Sequence, residues 1–137
     1  MEHVRQFFEG DQFAKHCGIE LVSVAPGHAV ARMAVEAAHL NGYARVQGGA
    51  IFTLADFAFA AASNSHGRVA VAINVSITFM KAVSSGTLTA EAREVSANPK
   101  LGSYTVHVTD ETQALIAVFQ GLAYRKSELI ADALKKG

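Results

Sequence analysis

The sequence predicts an α+β fold in which an antiparallel sheet wraps around one long, apolar helix. Three observations carry that expectation. Ile51, Leu54, Ala55, Ala58, Phe59 and Ala62 recur at i, i+3, i+4, i+7, i+8 and i+11, the repeat of a helix. Five or six strand-like runs flank this segment on both sides, and the segment itself is rich in Ala and Phe. A helix apolar on nearly every side needs a partner that curls around it, and a sheet can do so.

The elements follow in order. Residues 3 to 16 carry Val4, Phe7, Phe8 and Phe13 at spacings that suit one short amphipathic helix, ending near Gly18. From Ile19 to Val35 the chain reads as two strands around a Pro-Gly-His turn. After the central helix comes VAVAINVSITFM, where Val71, Ile73, Val75, Ile77 and Phe79 alternate with Ala70, Ala72, Asn74, Ser76 and Thr78. This pattern predicts a bulky face toward the core and a small or polar face that could line a cleft. Three further runs, TLTAEAREVS, SYTVHVTDE and QALIAVFQGLAYR, are separated by turn residues and predict a long antiparallel meander.

Composition narrows the function. The 137 residues fit one domain, 1–137, with no linker, repeat or low-complexity block. Half the residues are apolar, 18% are charged and the formal net charge is zero, which argues against disorder and against nucleic acid as a partner. No apolar run approaches the length that spans a bilayer and the first residues lack a signal-peptide core, so no membrane association and a cytoplasmic location are expected. The six histidines are scattered singly and Cys17 is the one cysteine, so neither a metal site nor an intrachain disulfide is expected.

The chemistry concentrates in VQGGAIFTLAD, residues 46 to 56. Gly48 and Gly49 fall where the central helix begins, and the first-turn N–H groups of a helix have no intrahelical acceptor. With no side chain in the way, a ligand oxygen can approach them, as an oxyanion hole requires. Asp56 stands alone among Phe52, Phe57, Phe59 and Ala60, an arrangement that costs stability and that partial desolvation turns into a stronger base or nucleophile. Both features suit attack on an acyl carbon. Eight residues of helix separate them, roughly 12 Å at about 1.5 Å per residue, too far for one small acyl group. If both act, Asp56 of one subunit must face Gly48 of another across a two-fold axis.

The segment HLNGYARVQGGAIFTLADFAFAAASNSHG, residues 39 to 67, resembles the phenylacetate-pathway (PaaI-like) branch of the hotdog-fold acyl-CoA thioesterases, whose pattern is Asn-Gly, then His-Gly-Gly, then Leu-Ala-Asp. The resemblance runs through ITFMKAV to the last strand. It implies a hotdog fold, a dimer with a continuous sheet and often a tetramer. It also implies an acyl-CoA substrate with no cofactor beyond the substrate's own coenzyme A. By the same resemblance Asp56 matches the catalytic acid, Gly48 the carbonyl-polarising donor, and Asn41 a residue that orients the acid or water from the opposing subunit.

Two departures stand out. Gln47 replaces the histidine that usually precedes the glycines, which keeps hydrogen bonding but loses a titratable group. Where some relatives carry a serine in the strand after the helix this chain has Ala72, and Asn74 and Ser76 are the substitutes expected on the same face. Gly49 completes the helix start, while Lys81, Arg93, Lys100 and Arg125 are candidate contacts for the coenzyme A phosphates. The alternative is a non-hydrolytic acyl-CoA-binding or regulatory module on the same fold. Asp56 argues against it, because a pure binder gains little from that acid. A hotdog dehydratase has no visible pairing of catalytic histidine and acid.

Overall fold

The computed structural model describes residues 1–136 and contains α1 (Glu2–Glu9), α2 (Gln12–His16), β1 (Ile19–Ala25), β2 (His28–Ala34), a short 3-10 turn (Ala37–His39), α3 (Gly48–Ser63), β3 (Arg68–Phe79), β4 (Thr87–Ala97), β5 (Leu101–Thr109), β6 (Leu115–Leu129) and α4 (Ile130–Lys136). All strand pairs are antiparallel, in the order β1-β2-β4-β5-β6-β3. The sheet wraps α3 and gives the hotdog fold that the resemblance implied. Only β4-β5-β6 form a simple meander, because β3 lies on the far side of β6 and so becomes an edge.

The core joins the inward row of the sheet to α3. Ala29, Ala31 and Met33, Leu88, Ala90 and Ala92, Tyr104, Val106 and Val108, and Phe119 are buried against Leu54, Ala55, Ala58, Phe59 and Ala62. Small alanines on β2 and β4 let the sheet approach the helix, and the Phe59 ring fills the space toward β5 and β6. Its centroid lies 5.7 Å from that of Tyr104 and 5.5 Å from that of Phe119. Fully burying such a ring contributes roughly 1.5–3 kcal/mol. Gly121 makes the approach possible, since a Cβ there would stand 2.6 Å from the Phe59 ring.

One stripe of α3 escapes the sheet. Gly49, Phe52, Thr53, Asp56 and Ala60, at i, i+3, i+4, i+7 and i+11, are exposed or half-buried, whereas most of the rest of the helix is buried. Asp56 therefore lies at the middle of the one face that the sheet leaves uncovered.

Two expectations are corrected. The N-terminal helix is two helices, because Gly10 ends α1 and Asp11 adopts an extended conformation whose side chain caps α2, accepting the Ala14 N–H at 3.0 Å. The alternation in β3 is broken by a bulge between Ala72 and Asn74. Ala72 pairs with buried Ala123 and faces inward, but one extra residue then turns Asn74, Ser76 and Thr78 outward and Val75, Ile77 and Phe79 inward. After β6, α4 packs near α1.

Candidate active site

The N-terminal end of α3 is built by a compact loop. Asn41 Oδ1 accepts the N–H groups of Tyr43 at 2.8 Å and Arg45 at 3.2 Å, which curls residues 41–45 into a turn. Val46 N–H then donates to the Val83 carbonyl at 2.8 Å and ties the loop to the chain after β3. His39, buried beneath, accepts the Glu36 N–H on Nδ1 at 2.9 Å and so directs its Nε2 proton to the Cys17 carbonyl at 2.7 Å. A histidine without a visible partner in the sequence is thus a clamp between α2 and this loop.

Gly48 and Gly49 open α3, and Gln47 is its N-cap. The Gln47 Oε1 accepts the Gly48 N–H at 3.1 Å, so this residue engages the very donor that a substrate oxygen would seek. An added Cβ at Gly48 would stand 3.1 Å from the Phe79 ring. Gly48 shares a cleft of about 330 Å³ with Asn41, Arg45, Phe79 and Lys81, among others. The Asn41 Oδ1 is committed to the loop, leaving its amide NH₂ free to donate into that cleft.

Asp56 faces a separate, smaller cleft between α3 and α2, lined by Asp11, Phe13, Ala14, Thr53, Phe57 and Ala60. Burial first, and the negative charge of Asp11 second, push the Asp56 carboxyl above the ordinary aspartate value of 3.8. Each cause disfavours the charged form, so the acid is poised closer to neutrality than a surface aspartate. Within one chain Gly48 and Asp56 thus open into different clefts, as their separation along the helix requires.

The remaining candidates scatter. Asn74 and Ser76 line a depression on the outer face of the sheet with Ser103, Thr105 and Gln120, pointing away from α3. They do not share a face with Ala72, so the substitution expected of them fails at the bulge. Arg93 is paired with Glu91 at 2.7 Å on β4, and Lys100 sits in the turn between β4 and β5. Arg125 is drawn into a polar cluster with Glu94 and Tyr104. Of the four basic candidates only Lys81, whose Nζ is 4.0 Å from Asp110, lies beside Gly48. Sequence reasoning missed Arg45, whose guanidinium lies over the Tyr43 ring at 5.4 Å with no carboxylate partner among the described residues. The signal was present as a lone arginine three residues before the glycines. It also missed Asp11, which only the fold brings to Asp56. Among the described residues no group of three His, Cys, Asp or Glu side chains could hold a metal, and no helix is long and apolar enough to cross a membrane.

A sheet wrapped around a helix whose first turn presents the Gly48 amide, capped by Gln47, and which carries a desolvated acid on its bare face defines a hotdog protein equipped for acyl transfer. Comparison with known proteins narrows the class. Residues 43–117 match the model of the thioesterase superfamily. A protein of Archaeoglobus fulgidus is 41% identical over 130 residues, covering 93% of this chain and 84% of its own length. Acyl-coenzyme A thioesterase PaaI of Escherichia coli is 38% identical over 125 residues, covering 90% of this chain and 89% of its own. The structure of E. coli PaaI, from the phenylacetic acid degradation operon, superposes with a TM-score of 0.90 over 93% of this chain and 94% of that one, at 36% identity. The structure of smu.793 from Streptococcus mutans bound to acetyl CoA gives 0.77 over 81% of this chain and 90% of that one, at 28% identity. The chain belongs to the thioesterase superfamily, in its PaaI-like branch, and is a thioester hydrolase.

Proposed function

We propose that the protein hydrolyses aryl-acetyl or medium-length acyl-CoA thioesters to the free acid and coenzyme A, in active sites shared between the two subunits of a homodimer. The observation that carries this reading is the desolvated Asp56 on the uncovered stripe of α3, with no cation to pair it. The thioester carbonyl oxygen would take the place of the Gln47 amide at the Gly48 N–H of one subunit, while Asp56 of the other acts on the acyl carbon. Asp56 either attacks directly, through a mixed anhydride that water cleaves, or takes a proton from the attacking water. In both cases the C–S bond breaks and coenzyme A leaves as its thiol. The new acyl oxygen comes from water when Asp56 acts as base, and from Asp56 itself when water cleaves the anhydride at the Asp56 carboxyl carbon and replaces the oxygen that the acid carries away. Oxygen-isotope labelling in a single turnover separates them, since only direct attack leaves label in the protein.

The dimer is supported by β3. Its twelve residues form an unpaired edge with Ile73 54% exposed and Phe79 51% exposed, the kind of edge that proteins otherwise cover or shorten. Pairing of β3 with its two-fold mate would continue the sheet across the molecule and cover this edge. Val71, Val95 and Tyr124, exposed on the outer face, are available for two dimers to form a tetramer. The pantetheine arm would enter by the Gly48 cleft, with Arg45 and Lys81 at its rim for the phosphates and Asn41 orienting the acid or water of the opposing subunit. A solvated rim suits the neutral overall charge, because two local cations suffice. The chemistry needs no cofactor beyond the substrate's own coenzyme A, and that substrate favours a cytoplasmic location. Acetyl CoA bound to smu.793, and the acyl-CoA activity named for E. coli PaaI, support the substrate class.

The test is release of free coenzyme A from phenylacetyl, benzoyl and straight-chain esters by the wild type and by Asp56→Asn. Turnover that the substitution abolishes in a folded dimer supports the reading. Acyl-CoA binding without turnover by the wild type would overturn it and point to a binding module that has lost its chemistry.

A further inference from the structure

The cleft in which Asp56 lies has a second wall that the proposed reaction has not used. That wall is α2, a five-residue helix bounded by Gly10 and Gly18. Phe13 and Ala14 on α2 face Thr53, Phe57 and Ala60 on α3, and Asp11 stands at the edge of the same cleft. A neighbouring cavity continues from it beneath α1 and β1, sharing Asp11, Ala14 and Phe57 and reaching Phe8, Ile19 and Leu21. The two cavities meet at those shared residues, beside the Asp56 carboxylate, where an acyl chain would lie if its carbonyl carbon is to meet that acid. Phe13 remains 62% exposed at the mouth, a cost that a bound apolar group would remove.

Asp11 has one clear structural duty, since its Oδ1 caps α2 through the Ala14 N–H. Asparagine or serine performs that duty equally well. A carboxylate adds a negative charge to a cleft that already holds Asp56. Resting on the hydrolase reading above, we propose that the cleft between α2 and α3 receives the acyl group and that Asp11 is a specificity-determining residue that turns away acyl groups bearing their own negative charge. Like charges brought together in a partly desolvated site repel by enough to change affinity tenfold or more. Lys15, Glu9 and Glu20 line the neighbouring cavity, past Phe57, and Asp11 is the one charged group that faces Asp56 inside its own cleft.

Hexanoyl-CoA and adipyl-CoA test this, because they share a chain length and differ by a terminal carboxylate. The expected result is that the wild type prefers the hexanoyl ester and that Asp11→Asn raises the adipyl-to-hexanoyl ratio of kcat/KM by about tenfold or more. The acid limb of the pH profile should also move to lower pH in the same variant, because removing the Asp11 charge lets Asp56 ionise earlier. A cap that served structure alone would move neither. Asp11→Ser provides a second capping variant should the first fold poorly. Filling the cleft from its other wall, by Ala60→Leu, should lower kcat/KM for hexanoyl-CoA more than for acetyl-CoA. A wild type indifferent to the added carboxylate, an unchanged ratio in both Asp11 variants, or an Ala60→Leu enzyme that slows all esters alike would overturn the proposal while leaving hydrolysis by Asp56 intact. Failure of the wild type to hydrolyse any ester would instead overturn the reading on which it rests.

Discussion

The two ends of α3 are both rich in polar groups, and they treat them in opposite ways. At the C-terminal end most of the groups satisfy one another, the exception being the buried Arg125 Nε, which has no partner among the described residues. Glu94 Oε1 accepts from Tyr104 at 2.7 Å and Arg125 at 3.3 Å and lies 2.8 Å from the His66 Nε2, while Asn64 spans the Ala60 and Ala70 backbones with bonds of 2.8 Å from and to it. Gly27, in the left-handed region at φ +72, donates its N–H to the Ser65 hydroxyl at 2.7 Å and ties the β1–β2 turn to the helix end. At the N-terminal end and along the bare stripe, the Asp56 carboxylate has no cation, the Asn41 NH₂ no acceptor and the Arg45 guanidinium no carboxylate among the described residues, although Arg45 lies over Tyr43 and donates to the Ala44 carbonyl at 3.3 Å. A fold that pairs nearly all its polar groups at one end and leaves an acid, an amide NH₂ and a cation open at the other has largely separated stability from chemistry along a single helix. A half-buried carboxylate costs free energy unless it is paired, so the cleft at Asp56 marks where a ligand is expected to supply the missing partner.

This contrast can be broken most severely at Asp56. Asp56→Asn is expected to lower kcat by about a hundredfold to ten-thousandfold, the range of a positioned acid or base, without lowering the melting temperature. A folded state that raises the pKa of a carboxyl loses stability as pH rises through that pKa, so neutralising Asp56 at pH 7 relieves a cost. A drop in melting temperature equal to that of a core variant would place Asp56 with the structural end.

Gly48→Ala comes next. It retains the N–H but sets a methyl against the Phe79 ring and in the path of the substrate oxygen, and a loss of about tenfold to a hundredfold in kcat is expected. Pairing it with Phe79→Leu sharpens the point. Relief of the clash without recovery of kcat locates the fault at the approaching oxygen.

The opposite pattern is expected at the closed end. Tyr104→Phe and Arg125→Met should each cost about 1–3 kcal/mol in denaturant unfolding and leave kcat on the best ester within about twofold. pH should report the same network. Burial, together with the Glu94 carboxylate, pushes the Tyr104 hydroxyl up to about 12, so its contribution is complete below the ordinary value of 10.0 and is lost as pH rises toward 12. The Glu94 carboxyl is held below its ordinary 4.5, for although burial opposes this, the bonds from Tyr104 and His66 and the Arg125 charge prevail. Its stabilisation is therefore present above pH 4.5 and fades as pH falls through the lower folded value. In the Glu94→Gln variant the acid-side loss of stability should flatten, as followed by thermal melting from pH 6 to about pH 3.

The smallest effect is expected at the cleft rim. Arg45→Met should raise KM a few-fold at low salt and hardly at all at high salt, because an exposed cation acts on phosphate through a screened field. Equal effects at both ionic strengths would argue for a packing role over Tyr43.

The sequence foreshadowed these two ends unequally. The open end was legible because its parts are local: paired glycines, a lone acid eight residues on and an asparagine in a turn all lie within sixteen residues. The closed end was not, because Glu94, Tyr104, Arg125 and His66 meet only across strands, and Arg125 looks like a free surface charge until the strands pair. The same limit explains the misplaced face of β3. Alternation in VAVAINVSITFM is regular in the sequence, and nothing local announces the bulge at Ile73 that turns Asn74 and Ser76 outward. The break at Gly10–Asp11 had a local signal, a glycine followed by a capping aspartate, that the apolar spacing of Phe7, Phe8 and Phe13 concealed. Asp11 then acquires its second role only because the fold lays α2 along α3.

The shared active site is the claim on which the rest depends, and subunit mixing tests it most directly. Asp56→Asn and Gly48→Val subunits, each inactive alone, would be unfolded together, refolded at equal concentration and assayed for release of coenzyme A. If each site joins Asp56 of one subunit to Gly48 of the other, half the dimers are mixed and each has one intact site, giving about a quarter of wild-type activity. Mixed dimers that form and remain inactive would contradict the account and place both groups of each site within one chain.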